Sequence, residues 1–297
     1  MLKIYNKYNP VKTGDKVGIF LPSSPIKEPF RTNGIRWLEK AGLIPVECKN
    51  IFNSIGYIAK EKEDILNDIK FFLEDKDIKI IWAARGGYGS NYLLSGLKPL
   101  IKNVKISSEK IIIGSSDVSY LLWGLLDVSK IKVFYGPMLY SAIAESKFNE
   151  YQLNQILFSN QDEIEFKGDV LIHGKCEGII TGGCLSNFVS LIGTDYMPKV
   201  KNRVLLLEDI DERPYSLDRM FWQIENAGVL NNINGLILGE FPECFIDEKE
   251  KENFYSRLKI KIKPYGIPVI INIPVGHSQR TITIPLGVNI LIDTNKT

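Results

Sequence analysis

Between Lys16 and about Met138, short apolar runs alternate with stretches in which apolar residues recur every three or four positions. KVGIFLP, LIPVEC, IKIIWAAR, IIIGSS and KVFYGP read as strands, and FRTNGIRWLEKAG and EDILNDIKFFLED as amphipathic helices. A run such as Ile111-Ile112-Ile113 suits a strand covered on both faces, so this half is predicted to be α/β, a doubly wound and mostly parallel sheet flanked by helices. From 141 to 170 the chain is polar and helix-tending, with YQLNQILF the clearest helix, and it closes on the turn signals Lys167-Gly168-Asp169.

Beyond it the strand-like runs CEGIITGG, RVLLLED, INGLILGEF, IPVIINIPV and TITIPLGVNILID are interleaved with LSNFVSLIG, SLDRMFWQIENAG and ENFYSRLKIKI. This predicts a smaller, strand-rich α/β unit with a hairpin near its end, and the aromatics of RMFWQIENAG at helical spacing are expected in its core. The expected organisation is an N-terminal α/β domain over 1–140, a linker region over 141–170 and a C-terminal domain over 171–297.

Composition narrows the function classes. With 44% hydrophobic and 24% charged residues, and 37 basic against 35 acidic side chains, the chain is ordinary and globular with a net charge of +2. Its charges are intermixed, as in EKEDILNDIKFFLEDKD, so neither a nucleic-acid nor a membrane partner is expected. No signal-like leader and no apolar run near the roughly 18 residues of a membrane helix is read. The four cysteines, Cys48, Cys176, Cys184 and Cys244, lack metal-like spacing. Reduced thiols, a cytoplasmic location and no metal or cofactor are therefore expected.

Candidate chemistry gathers after strands, where ligands bind in open α/β sheets. Ser115-Ser116-Asp117 follows IIIG and opens the next helix. That placement suits a helix cap, and it equally suits a nucleophile on a strand-to-helix turn, although the motif lacks the second glycine of a G-x-S-x-G elbow. ARGGYGS, residues 84–90, follows IKIIWA, and an N–H of Gly86 or Gly87 there can approach a ligand closely. Neither G-x-G-x-x-G nor a Walker lysine is present, so a phosphate cradle is not written. Only His173 and His277 can serve as imidazole bases, and His277, just past IPVIINIPV and Gly276, holds the better position. Glu208, after VLLL, can orient such a base, and it can equally pair with Arg213 or Arg219. Cys184, after two glycines at a helix start, is a rival nucleophile and otherwise a small buried residue.

In this order, ARGGYGS, IIGSSD, TGGCLSNFVSLIGT, LLLEDIDERPYSLDR, NGLILGEF and PVGHSQRTITIPLG resemble the serine L,D-carboxypeptidase family, which includes muramoyltetrapeptide carboxypeptidases and microcin-immunity peptidases. The resemblance runs from about Gly14 to Ile292 and implies a metal-free homodimer. By motif it implies Ser116 as nucleophile, His277 as base, Glu208 as its orienter, and the backbone N–H groups of Asp117 and Gly87 as the oxyanion hole. Arg85, Gly86 and Ser115 would border the substrate, with Arg85 near its terminal carboxylate or in an internal salt bridge. Ser115 stands where the family often has tyrosine, and Cys184 where it often has asparagine.

The implied reaction is hydrolysis of the amide to the terminal D-alanine of a murein tetrapeptide, a muropeptide or other small peptide-like substrate. Alternatives are cleavage of an aminoacyl-nucleotide conjugate by the same residues, a non-catalytic muropeptide- or nucleotide-binding module, and an amidotransferase built on Cys184.

Overall fold

The computed structural model describes residues 2–5, 8–159 and 163–295, so 160–162 of the expected linker region lie outside the described residues. Two compact units are present, one of Lys7–Gln161 with Arg280–Ile284, the other of Met1–Asn6, Asp162–Gln279 and Pro285–Thr297. The first strand, β1 (Leu2–Tyr5), belongs to the second of these, with Leu2 and Ile4 turned inward.

In the first unit the chain runs β2 (Lys16–Phe20), α1 (Phe30–Lys40), β3 (Ile44–Glu47), α2 (Lys62–Glu74), β4 (Ile78–Ala83), α3 (Leu94–Asn103), β5 (Lys110–Gly114), α4 (Ser119–Leu125), β6 (Ile131–Tyr135) and α5 (Glu150–Phe158). Every pair along β6-β5-β4-β2-β3 is parallel, as the continuous apolar runs predict. Helix α2 lays Ile65, Ile69, Phe72 and Leu73 on the sheet. Its Phe72 ring lies so close to Gly18 that a Cβ there would fall 2.7 Å from the ring. Residues 280–284 return to this unit, where Gln152 of α5 donates to the Thr283 carbonyl at 2.7 Å and accepts from its N–H at 2.9 Å.

The second unit contains β7 (Glu163–Phe166), β8 (Asp169–Ile172), β9 (Lys175–Cys184), α6 (Leu185–Ser190), β10 (Arg203–Glu208), α7 (Pro214–Asn226), β11 (Gly235–Gly239), α8 (Glu248–Ile262) and β12 (Val269–Ile273). Its sheet is parallel through β9-β10-β11-β12 and antiparallel at both margins. The expected terminal hairpin does not form. Strand β13 (Ile284–Leu286) lies in the six-stranded sheet, whereas β14 (Asn289–Asp293) pairs with β9 and β1 in the eight-stranded one. Gly287, at φ +76°, redirects the chain between them, and its N–H and that of Ile180 tie the turn to β9. The aromatic pattern of α7 is also only half core, since Phe221 is fully buried and Trp222 is 57% exposed.

Lys110, at the start of β5, is fully buried, and its ammonium donates to the carbonyls of Asp75 and Ile78, the second at 2.6 Å. Burial, aided by the charge of Lys79 and opposed by Asp75 and Asp77, pulls its pKa down to about 8. Between about pH 8 and 10.5 the unfolded chain therefore binds the Lys110 proton more tightly than the folded one, and the lysine's contribution to stability rises with pH. Denaturant unfolding of Lys110→Met should lack this rise, which amounts to about 3 kcal/mol at most. Parallel stability curves for the two proteins over this range would contradict it.

Candidate active site

At the carboxyl end of β5 the chain passes from extended Ser115 (φ −151°) to Ser116 at φ +54°, in the left-handed region that costs a non-glycine residue about 1–3 kcal/mol. A single 3-10 turn, Ser116–Val118, then feeds α4. Three contacts hold the strained residue. Its N–H donates to the buried Tyr135 hydroxyl at 3.0 Å, its carbonyl accepts from Ser119 Oγ at 2.6 Å, and Val118 N–H closes onto the Ser115 carbonyl. The simple cap does not explain the triplet, because Ser115, at the N-cap, makes no side-chain capping bond.

Asp117 turns the other way and is 3% exposed. Its carboxylate accepts from Ser23 Oγ at 2.6 Å and from Ser90 N–H at 2.9 Å, while its carbonyl accepts from Ser90 Oγ. Burial raises its pKa, and the bonds from Ser23 and Ser90 pull the other way. The loops after β2, β4 and β5 are thus fastened to one carboxylate. Gly86 comes so close to the serine that a Cβ on it would lie 3.3 Å from Ser116 Cβ and 3.5 Å from Oγ. Gly87, at φ +111°, leaves room for Ser24, whose Oγ would stand 2.3 Å from an added Cβ. Arg85 is exposed and donates to the Pro25 carbonyl at 2.7 Å.

In the second unit β10 delivers Glu208 to the sheet edge with no exposure at all. Its Oε2 faces His277, 2.8 Å from Nδ1 and 3.2 Å from the backbone N–H. Two glycines make room for the carboxylate. A Cβ on Gly276 would lie 2.0 Å from Glu208 Oε2, and one on Gly239 2.7 Å from Glu208 Cβ. Neither role was read from the sequence, although a glycine directly before the histidine was the available signal. Burial lowers the His277 pKa, but the Glu208 charge, their hydrogen bond and the nearby Asp209 outweigh it and leave the imidazole above its usual value. The bond at Nδ1 assigns any proton transfer by this ring to Nε2.

The other candidates fall away from this chemistry. His173 meets Thr294 Oγ1 at 3.5 Å, beyond β8 at the sheet margin. Cys184 sits beside Glu208 in register, 4% exposed, with its thiol on Ser186 Oγ at 3.2 Å and Asp209 Oδ1 at 3.7 Å. Burial, with the charges of Asp209 and Glu208, pushes the thiol pKa well above its ordinary value, the opposite of what an attacking thiolate needs. All four cysteines are free thiols. Among the described residues no group of three or more His, Cys, Asp or Glu side chains is arranged to hold a metal ion. No helix among them is long and apolar enough to cross a membrane.

Strand-end serine, glycine-rich loop and buried Glu–His pair accompany matches at the level of whole domains. The LD-carboxypeptidase N-terminal domain matches residues 17–136 and the LD-carboxypeptidase C-terminal domain residues 177–292. The chain belongs to the LD-carboxypeptidase family, and its activity is of the carboxypeptidase type. It is 30% identical to the "Probable murein peptide carboxypeptidase" of Bacillus subtilis (strain 168), over 95% of this chain and 89% of that one. It is 27% identical to the microcin C7 self-immunity protein MccF of Escherichia coli, over 96% and 92%. MccF in complex with glutamyl sulfamoyl guanosine shares the fold with a TM-score of 0.83 at 24% identity, covering 97% of this chain and 96% of that one. Muramoyltetrapeptide carboxypeptidase from Oxalobacter formigenes does so with a TM-score of 0.77, also at 24%, covering 94% and 98%.

Because His277 is held above its ordinary pKa, its proton is favoured in the folded state up to that raised midpoint. The stabilisation is fully present below about 6.5, the unfolded value, and is lost as pH rises through the folded midpoint. NMR titration of the two imidazoles should place His277 above 6.5 in the native protein and lower in Glu208→Gln, where only the Asp209 charge still opposes burial. Gly276→Ala, by displacing the carboxylate, should shift it the same way. An unchanged midpoint in Glu208→Gln would contradict the pairing.

Proposed function

We propose that the protein is a serine L,D-carboxypeptidase that removes the terminal D-alanine from murein tetrapeptides. The observation that carries this reading is the 2.8 Å bond between His277 Nδ1 and a Glu208 carboxylate with no exposure to water. A carboxylate so placed fixes the tautomer of the imidazole and stabilises the imidazolium that forms when it takes a proton. In this reading Ser116 supplies the nucleophile from its strained strand-end turn, and His277 accepts its proton as the hydroxyl attacks the amide carbonyl. Such proton transfer is typically worth roughly 10² to 10⁴-fold in rate. The Asp117 and Gly87 N–H groups receive the developing oxyanion, each effective donor contributing about 2.7–4 kcal/mol. His277 then protonates the departing D-alanine amine, and water, activated by the same imidazole, releases the shortened peptide from Ser116.

Likeness to the Bacillus subtilis protein supports the murein substrate, and likeness to MccF supports a second reading in which the same residues cleave an aminoacyl-nucleotide conjugate. Mass spectrometry after incubation with an L,D-tetrapeptide should show loss of one D-alanine with the native protein and none with folded Ser116→Ala. Cleavage of the nucleotide conjugate alone would transfer the proposal to the second reading. Equal cleavage of the tetrapeptide by both proteins would reject Ser116.

A further inference from the structure

Beside the Ser116 turn three tyrosines stand in water, Tyr57 at 67% exposure, Tyr88 at 43% and Tyr92 at 47%. They are not scattered. The Tyr57 and Tyr88 rings meet at 5.6 Å and 65°, those of Tyr88 and Tyr92 at 6.0 Å and 87°, and the hydroxyls of Tyr88 and Tyr92 lie 3.4 Å apart. Contiguous aromatic surface of this kind on a protein marks a place where something binds.

The cluster is also built rather than incidental. Ser24 Oγ donates to the Tyr57 carbonyl at 3.0 Å and accepts from the Tyr88 N–H at 3.1 Å, so one hydroxyl pins two loops together. Gly87 and Gly89, both at positive φ, let Tyr88 and its neighbours sit against Ser24 and Ile58, where added Cβ atoms would lie 2.3 Å and 3.0 Å from those side chains. Ser23, the neighbour of Ser24, and Ser90, two residues beyond Tyr88, bind the Asp117 carboxylate next to Ser116. The backbone that carries Tyr57 and Tyr88 is therefore tied to the Ser116 turn, which lowers the conformational entropy lost on binding.

We propose that Tyr57, Tyr88 and Tyr92 form a subsite for the N-acetylated amino sugar carried at the far end of a muropeptide stem. This rests on the peptidase reading of the preceding subsection and names the part of the substrate that reading leaves open. Rings packed edge to face at 65° and 87° turn their faces in different directions and make a corner, which fits a puckered ring with C–H groups on several sides. A flat nucleobase calls instead for parallel faces. Phenol hydroxyls at the corner supply partners for the sugar's hydroxyls and acetamide. Reach agrees. Three stem residues separate the cleaved amide from the sugar, about 10 Å when extended. Tyr88 stands two residues beyond Gly86, about 7 Å of chain, with its ring extending further.

The test compares kcat/KM for an L,D-tetrapeptide with and without an N-acetylmuramyl group, in the native protein, Tyr57→Ala and Tyr92→Ala. The native protein should favour the sugar-bearing form by roughly three- to tenfold, and each variant should bring that ratio towards one. Equal rates on the two forms in the native protein, or a preference that survives both variants, would overturn the subsite. If the native protein cleaves neither form, the peptidase reading fails separately, and saturation-transfer NMR with N-acetylmuramic acid then decides. Transfer abolished in Tyr57→Ala would uphold the subsite, and absence of transfer in the native protein would overturn it.

Discussion

A carboxylate with no access to water is stable only where donors replace the water it has lost, and Glu208 meets that condition through His277. Both the ring nitrogen and the backbone N–H of His277 converge on one oxygen, so the loop after β12 is fixed by the same contact that orients the imidazole. Gly276 and Gly239 follow from it, since neither position has space for a Cβ beside the glutamate. The raised pKa of His277 follows as well, because the charge that orders the loop favours the proton on the ring.

The first unit repeats the device with a different outcome. Asp117 is buried at the end of β5, and its donors come from Ser23 and Ser90 on two other strand-end loops. There the carboxylate assembles a surface instead of tuning a base. It braces the turn that holds Ser116 at positive φ, and it anchors the loop that carries Tyr88 and the loop whose Ser24 holds Tyr57. A buried aspartate one residue from a strained serine is costly in stability, a pattern expected where position matters more than folding free energy.

Much of this was legible in the chain. Continuous apolar runs such as IIIG and VLLL announced parallel strands covered on both faces, and the residues just after them were the ones placed at the sheet edges. Periodicity could not say which sheet a strand joins. LKIY at the extreme N-terminus pairs with β7 and β14, and the apolar segments around Gly287 part company because each is buried in a different sheet. Nor does periodicity separate neighbours on a helix, which is why Phe221 is core and Trp222 faces water. Glu208 and His277 were recognisable as chemical types at strand ends. Their contact spans 69 positions, and the glycines that permit it have no side chain through which to advertise the role. The Asp117 tie and the tyrosine corner were invisible for the same reason, being made of residues brought together only by the loops.

The central claim is that Ser116 is a nucleophile served by the Glu208-backed imidazole. The most direct measurement is peptide mapping of the protein after reaction with a fluorophosphonate at neutral pH. A single adduct on Ser116, formed much more slowly in His277→Ala and in Glu208→Gln, is the predicted result. An adduct on Ser115 or elsewhere, or labelling of Ser116 at the same rate in both variants, would contradict it.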